Sequence, residues 1–285
     1  MKDGSFEEAV GSEELVTRLD AAARHEHTPC GAGTLAWRIW GSGTPIVLMH
    51  GSFGSWTHWL KNIPALSSEL QVMAVDLPGM GDSANPPEPF SAESLAQIVS
   101  DGLDHILPDD QPFHLAGFSF GGIVGGHVAL RQQRRIRSYT AIGSNGLGLR
   151  MAPRNGMARP NRSMTPEQVA DVHRNNLGVI MFGDPANIDD LAVYLQIRNT
   201  GKARIRSGEI PKTDTLRRAI AQMRNPVQGI WGERDATAGP YLQERIDLFA
   251  EIAPGSRFHV IPGVGHWACY EAPDIVNRIL LETVG

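Results

Sequence analysis

Cysteine is scarce: the 285 residues contain two, Cys30 and Cys269. They make no disulfide framework, so a cross-linked secreted module is excluded and a reducing, cytoplasmic setting is expected. Long apolar runs are missing too. None approaches the ~20 residues a membrane-spanning helix needs. The opening Met1-Lys-Asp-Gly-Ser-Phe-Glu-Glu8 is acidic and lacks the apolar centre of a signal peptide. Positive charge is not in excess: 26 lysines and arginines against 31 acids give a net charge of −5. That balance leaves no electrostatic footprint for nucleic acid or an anionic membrane. The one basic cluster, Arg131-Gln-Gln-Arg-Arg-Ile-Arg137, reads as the solvated C-terminal end of a helix. Repeats, a phosphate-cradling loop and a dinucleotide fingerprint are absent, so no cofactor is expected. His25 and His27 have no third ligand at suitable spacing, so they read as surface residues and no metal is expected.

What is present is an ordinary globular composition, 41% hydrophobic and 20% charged, and enough chain to bury a core. Solid apolar runs at Pro45–His50, Val72–Val75, Phe113–Ala116, Ser138–Gly143, Val227–Trp231 and Phe258–Ile261 read as strands buried on both faces. Thr34–Trp40 alternates like a half-exposed strand. Amphipathic segments at Ser91–Leu107 and Ile275–Val284 fall between or after these runs. The alternation predicts an α/β fold, with a mostly parallel central sheet covered by helices on both faces. Phe6, Val10, Leu15, Leu19 and Ala22 lie at roughly helical spacing, which predicts an N-terminal helix reaching Arg24. From residue 146 to 224 the rhythm changes. Three helical stretches, 165–177, 188–200 and 213–223, replace buried strands, and the insertion is too long for a simple connection. The expected division is therefore an extension at 1–27, a core at 28–145 and 225–285, and a helical cap at 146–224.

Chemistry concentrates at Gly117-Phe-Ser-Phe-Gly121, where an apolar run meets a Gly/Ala-rich helical segment. A serine flanked by glycines at such a junction has the pattern of a nucleophile elbow. The sharp turn lifts the hydroxyl clear of the sheet and leaves free N–H groups at a helix start. A serine hydroxyl needs a base, and the base an acid to orient it. His266, in Pro262-Gly-Val-Gly-His-Trp267, and Asp235, in Gly232-Glu-Arg-Asp235, both follow late strands. Ser119 has a plainer reading as a helix N-cap, His266 as a core histidine, and Asp235 competes with Glu233 and Asp214. The order serine, aspartate, histidine favours the triad.

These motifs, together with His50-Gly51-Ser52 and Asp76-Leu-Pro-Gly-Met-Gly-Asp-Ser83, resemble those of the α/β-hydrolase superfamily over about residues 28–285. The resemblance implies an α/β-hydrolase fold with a helical cap, and Ser119, Asp235 and His266 as catalytic residues. It further implies an oxyanion hole built from the backbone N–H groups of Ser52 and Phe120, and structural roles for Asp76 and Asp82. A serine nucleophile fits ester, lactone and amide hydrolases and the carbon–carbon hydrolases of ring-fission products. Gly265–Asn277 and the stretch Ile180–Leu191 with Arg198 and Arg204 are similar to segments of the latter group, where a cap arginine grips a substrate carboxylate. The sequence therefore leans to hydrolysis of 2-hydroxy-6-oxo-dienoates, with carboxylesterase or lactonase as the alternative. Phe118, where that group usually has asparagine, departs from its pattern. Phe53, Phe118 and Trp267, with Trp56 and Phe120, are expected to make an apolar pocket for a small-molecule substrate, or to serve as core aromatics. Arg204 reads equally as a solvated helix residue. A small-molecule receptor on the same fold is the reading from another class. Cap helices offer apolar surface for a homo-oligomer.

Overall fold

The computed structural model describes residues 11–153 and 155–285. Phe6 and Val10, expected to open the first helix, lie outside the described residues. The chain runs α1 (Ser12–Ala21), β1 (Arg24–Cys30), β2 (Gly33–Trp40), β3 (Pro45–Met49), α2 (Ile63–Ser67), β4 (Gln71–Val75) and α3 (Ala92–Ile106). It continues β5 (Phe113–Phe118), α4 (Phe120–Arg131), β6 (Ile136–Ile142), α5 (Pro166–Ile180), α6 (Asp190–Lys202) and α7 (Thr215–Ile220). The remainder is β7 (Val227–Gly232), α8 (Leu242–Ile252), β8 (Arg257–Ile261), α9 (Ala268–Glu271) and α10 (Pro273–Val284).

One eight-stranded sheet, in the order β1-β2-β4-β3-β5-β6-β7-β8, organises these elements. The first two pairings are antiparallel and the rest parallel. Every residue of β3, β5 and β7 is buried, as continuous apolar runs require when helices cover both faces. Two apolar clusters fill the layers, one holding Val47, Leu115, Val124 and Trp231, the other Leu48, Ala116, Trp59 and Ile279.

The strand β1 corrects the expectation that the first helix reaches Arg24: α1 ends at Ala21, and Arg24 begins a strand that takes in the expected surface residues His25 and His27. Arg-His-Glu-His-Thr-Pro-Cys has no apolar run because β1 is the sheet's edge and exposes most of its side chains. His25 and His27 are exposed there, and among the described residues no three ligating side chains cluster. Between β6 and β7, α5 and α6 pack on each other. The helix α7 behaves differently: it packs on α4, with Leu216 against Gly126.

Candidate active site

The turn from β5 into α4 is built by exclusion of side chains. A Cβ on Gly117 would lie 2.4 Å from the Gly121 carbonyl oxygen, and one on Gly121 would lie 2.4 Å from that of His50. Only glycine lets strand and helix meet this closely. Ser119 between them is held at φ 52° and ψ −115°, a conformation that costs a non-glycine residue of the order of 1–3 kcal/mol. Its N–H donates to the Ile142 carbonyl at 2.7 Å, and its carbonyl accepts from Gly122 N at 3.0 Å. The side chain is thereby aimed away from the sheet.

The loops after β7 and β8 bring their residues to the same point. His266 Nε2 lies 3.0 Å from Ser119 Oγ, and His266 Nδ1 lies 2.8 Å from Asp235 Oδ2. A carboxylate only accepts, so Nδ1 carries the proton and Nε2 faces the serine hydroxyl as acceptor. The other carboxylate oxygen of Asp235 accepts from Thr237 N at 2.7 Å and Thr237 Oγ1 at 2.8 Å. Burial alone would raise the Asp235 carboxyl, but the His266 charge and the Thr237 donors outweigh it and hold it below its ordinary value. Glu233 and Asp214 are spent elsewhere, on Gly263 N and Arg218. The arrangement can activate a hydroxyl, hold the imidazole in one tautomer and stabilise its cation.

Ser52 follows Gly51 on the loop leaving β3. A Cβ on Gly51 would stand 3.2 Å from that of Ser119, which measures how closely this loop approaches the elbow. Two histidines fix it. Leu77 N donates to His50 Nε2 at 2.8 Å, so His50 Nδ1 carries the proton and donates to the Gly51 carbonyl at 2.8 Å. Gly51 N in turn donates to His58 Nδ1 at 3.2 Å. Burial pushes both rings below the ordinary imidazole range, His58 furthest because the His50 and His266 charges add to it. Phe120 is the first residue of α4, so its N–H is one of those a helix leaves without an internal acceptor. Asp76 holds the neighbouring turn, accepting from Trp56 N at 2.7 Å and Asp82 N at 3.0 Å.

A cavity of ≈ 160 Å³ opens over Ser119 and His266. Phe53, Phe118, Phe120, Ile180, Met157 and Met181 give it apolar walls, with Asn145, Gln196 and Ser207 as polar points. Among the described residues no lysine, arginine, aspartate or glutamate lines it. Two expected pocket residues are placed elsewhere. Trp267 is completely buried beneath the site, its Nε1 donating to the His58 carbonyl at 3.0 Å. Arg204 donates to the carbonyls of Gly81, Ser83 and Lys202 and to Asn85 Oδ1. Its own N–H donates to Gly79 O at 2.8 Å, which lays the chain beyond α6 along the loop after β4, outside the cavity.

The histidine loop is tied to the α5–α6 region through Glu271. Its carboxylate accepts from Gly265 N at 2.7 Å, Gly183 N at 2.9 Å, Asp184 N at 3.2 Å and Asn187 Nδ2 at 3.1 Å. Trp267 N adds a bond to the Met181 carbonyl at 2.8 Å. Sequence reasoning passed over Glu271, His58 and Thr237, because each acts on backbone or on a neighbour rather than through a motif of its own.

A strand-to-helix elbow bearing serine, with acid and histidine on the loops of later parallel strands, is the arrangement that the resemblance to α/β-hydrolases implies. Residues 46–279 match the model of the alpha/beta hydrolase family, and the chain belongs to that family. It is 33% identical over 253 residues to the dihydrolipoyllysine-residue acetyltransferase component of the acetoin cleaving system of Pseudomonas putida. That match takes in 84% of this chain but spans only 63% of the relative's length. It is 25% identical over 253 residues to the 2-hydroxy-6-oxononadienedioate/2-hydroxy-6-oxononatrienedioate hydrolase of Escherichia coli (strain K12), covering 83% of this chain and 85% of that protein. Among solved structures, carboxylesterase CesB from Bacillus subtilis superposes with a TM-score of 0.74 at 19% identity, over 96% of this chain and 95% of that one. This last likeness is one of fold. The chain is an enzyme, a hydrolase, and no helix among the described residues is long and apolar enough to cross a membrane.

Proposed function

We propose that this hydrolase cleaves an uncharged carboxylic ester with a mainly apolar acyl group, by way of an acyl-Ser119 intermediate. The observation that carries the reading is the hydrogen-bonded series Ser119–His266–Asp235 opening into a cavity that, among the described residues, has no cationic side chain. In this mechanism His266 Nε2 takes the Ser119 proton as Oγ attacks the ester carbonyl. The oxyanion is received by the N–H groups of Phe120 and Ser52, each worth ~3 kcal/mol of transition-state stabilisation. The imidazolium then gives its proton to the departing alkoxide. Water, deprotonated by the same nitrogen, releases the acid and restores the serine. Residues 146–224 act as the cap in this reading, with Ile180, Met181 and Gln196 reaching the cavity from α5, its end and α6.

Hydrolysis of a 2-hydroxy-6-oxo-dienoate is the second reading, and the relationship to the Escherichia coli enzyme supports it. The same triad would serve, but among the described residues no cation lines the cavity to meet the carboxylate of such a substrate, and Arg204 lies outside. A test is release of p-nitrophenol from the acetate and butyrate esters beside bleaching of a dienoate chromophore, with Ser119→Ala as the control. Ester turnover that exceeds dienoate turnover, and that vanishes in Ser119→Ala, is expected. Dienoate turnover alone would reverse the order of the readings. Wild type as inert as the variant on both substrates would leave a binding protein.

A further inference from the structure

Behind Asp235 lies a charge that the reaction does not use directly. Arg245, on α8, is 1% exposed, and all its hydrogen bonds go to neutral oxygens. These are the Tyr241 carbonyl at 2.9 Å, the Arg150 carbonyl at 2.9 Å and Asn145 Oδ1 at 3.4 Å. Its Nε is buried without a partner. A buried guanidinium lacking a bonded carboxylate is expensive to keep, so its retention asks what it balances. Burial lowers its pKa, while the charges of Asp235 and Glu244 oppose that. Glu244 is already paired with Arg150 on the surface. Asp235, 1% exposed, is the carboxylate left to answer the charge.

Two neutral residues connect them, and every proton in the connection has one direction. Arg245 donates to Asn145 Oδ1, which turns the other end of that amide, Nδ2, toward Thr237 Oγ1 at 3.3 Å. The Thr237 hydroxyl has a single proton, and Asp235 Oδ1 at 2.8 Å takes it. A flipped Asn145 would set its N–H groups against the guanidinium, so the cation fixes the amide and the amide frees the hydroxyl to donate.

We infer that Arg245 is a positioning residue for hydrolysis: through Asn145 and Thr237 it holds Asp235 turned toward His266, and its charge answers that of the Asp235 carboxylate. Among the described residues, the titratable groups that act on this pair are His58, coupled to His266, and Glu244, which is paired with Arg150. The inference rests on the serine-hydrolase reading for its kinetic readout alone.

The test compares pH profiles of kcat/KM for wild type, Arg245→Gln, Arg245→Lys and Asn145→Ala, with an NMR titration of the His266 ring in each. Removing the positive charge that answers Asp235 leaves that carboxylate freer to favour the imidazolium it bonds, so in Arg245→Gln the acidic limb and the His266 midpoint should move up by about one unit. Arg245→Lys keeps the charge and should leave both within about 0.3 unit of wild type, a discrimination that a purely space-filling role would not produce. Asn145→Ala keeps the cation but cuts the chain, and kcat should fall about tenfold. An unmoved His266 midpoint in Arg245→Gln, or a lysine variant indistinguishable from glutamine, would overturn the inference. Should Arg245→Gln fail to fold, wild-type kcat in Asn145→Ala overturns it instead. If no ester is turned over at all, the ester reading fails and the His266 titration still decides on Arg245.

Discussion

His58 Nδ1 accepts the N–H of Gly51 at 3.2 Å, and so a buried side chain outside the cavity lining sets the peptide immediately before Ser52. With His50 on the Gly51 carbonyl, that residue is held at both of its polar groups. The expected oxyanion donor at Ser52 is therefore placed by two neutral rings.

Replacing His58 by leucine should lower kcat about 10–100-fold while KM changes only a few-fold, because the donor is needed most in the transition state. Steady-state kinetics on a p-nitrophenyl ester checks this. An equal rise in KM with kcat intact would mean the loop serves binding instead.

Acid should weaken this clamp before it weakens the carboxylates. Both rings are held below their ordinary value in the folded state, so the unfolded chain binds protons first as pH falls. Stability is expected to be fully present above about pH 6.5 and to decline below it. Tm measured from pH 8 to 5 should show that decline, and His58→Leu should flatten it.

Asp82 governs a lower window. Burial would raise its carboxyl, but Lys202 of α6 and Arg38 of β2 hold it at about 2. The ionised form is the one favoured by folding, so its contribution is complete above the ordinary carboxylate value of about 4 and is lost as pH falls toward 2. Denaturant titrations at pH 5 and pH 3 should show a smaller difference for Asp82→Asn than for wild type.

The proposed triad makes the sharpest demand. Asp235→Asn should leave the fold in place and cut kcat by a factor of about 10⁴, since the amide favours the wrong imidazole tautomer. A tenfold loss or less would take Asp235 out of the mechanism. Gly121→Ala acts on the backbone instead, because its methyl would sit 2.4 Å from the His50 carbonyl oxygen. It should cost about 1–3 kcal/mol of stability in urea titrations.

How much of this was readable in advance follows from the range of each interaction. The strands β3, β5 and β7 announce themselves because residues buried on both faces must be apolar in an unbroken run. Ser119, Asp235 and His266 were legible because loop glycines and late strands mark them locally. The edge strand β1 was not, since its polar string reads like a loop until β2 pairs with it. Nor were Arg204 and Trp267 placeable: one is fixed by carbonyls about 120 residues back in the chain, the other by His58. The packing of α7 on α4, through Leu216 and Gly126, likewise joins positions that no periodicity connects.

Glu271 leaves one carboxylate serving two masters: the loop that carries His266 and the turn at residues 183–187 beside α5. Lifting that turn would strip its donors from the anion that also steadies Gly265, one residue before the imidazole. Displacement of this turn is therefore coupled to the placement of the imidazole, whereas Met157, on the same cavity, stands 49% exposed.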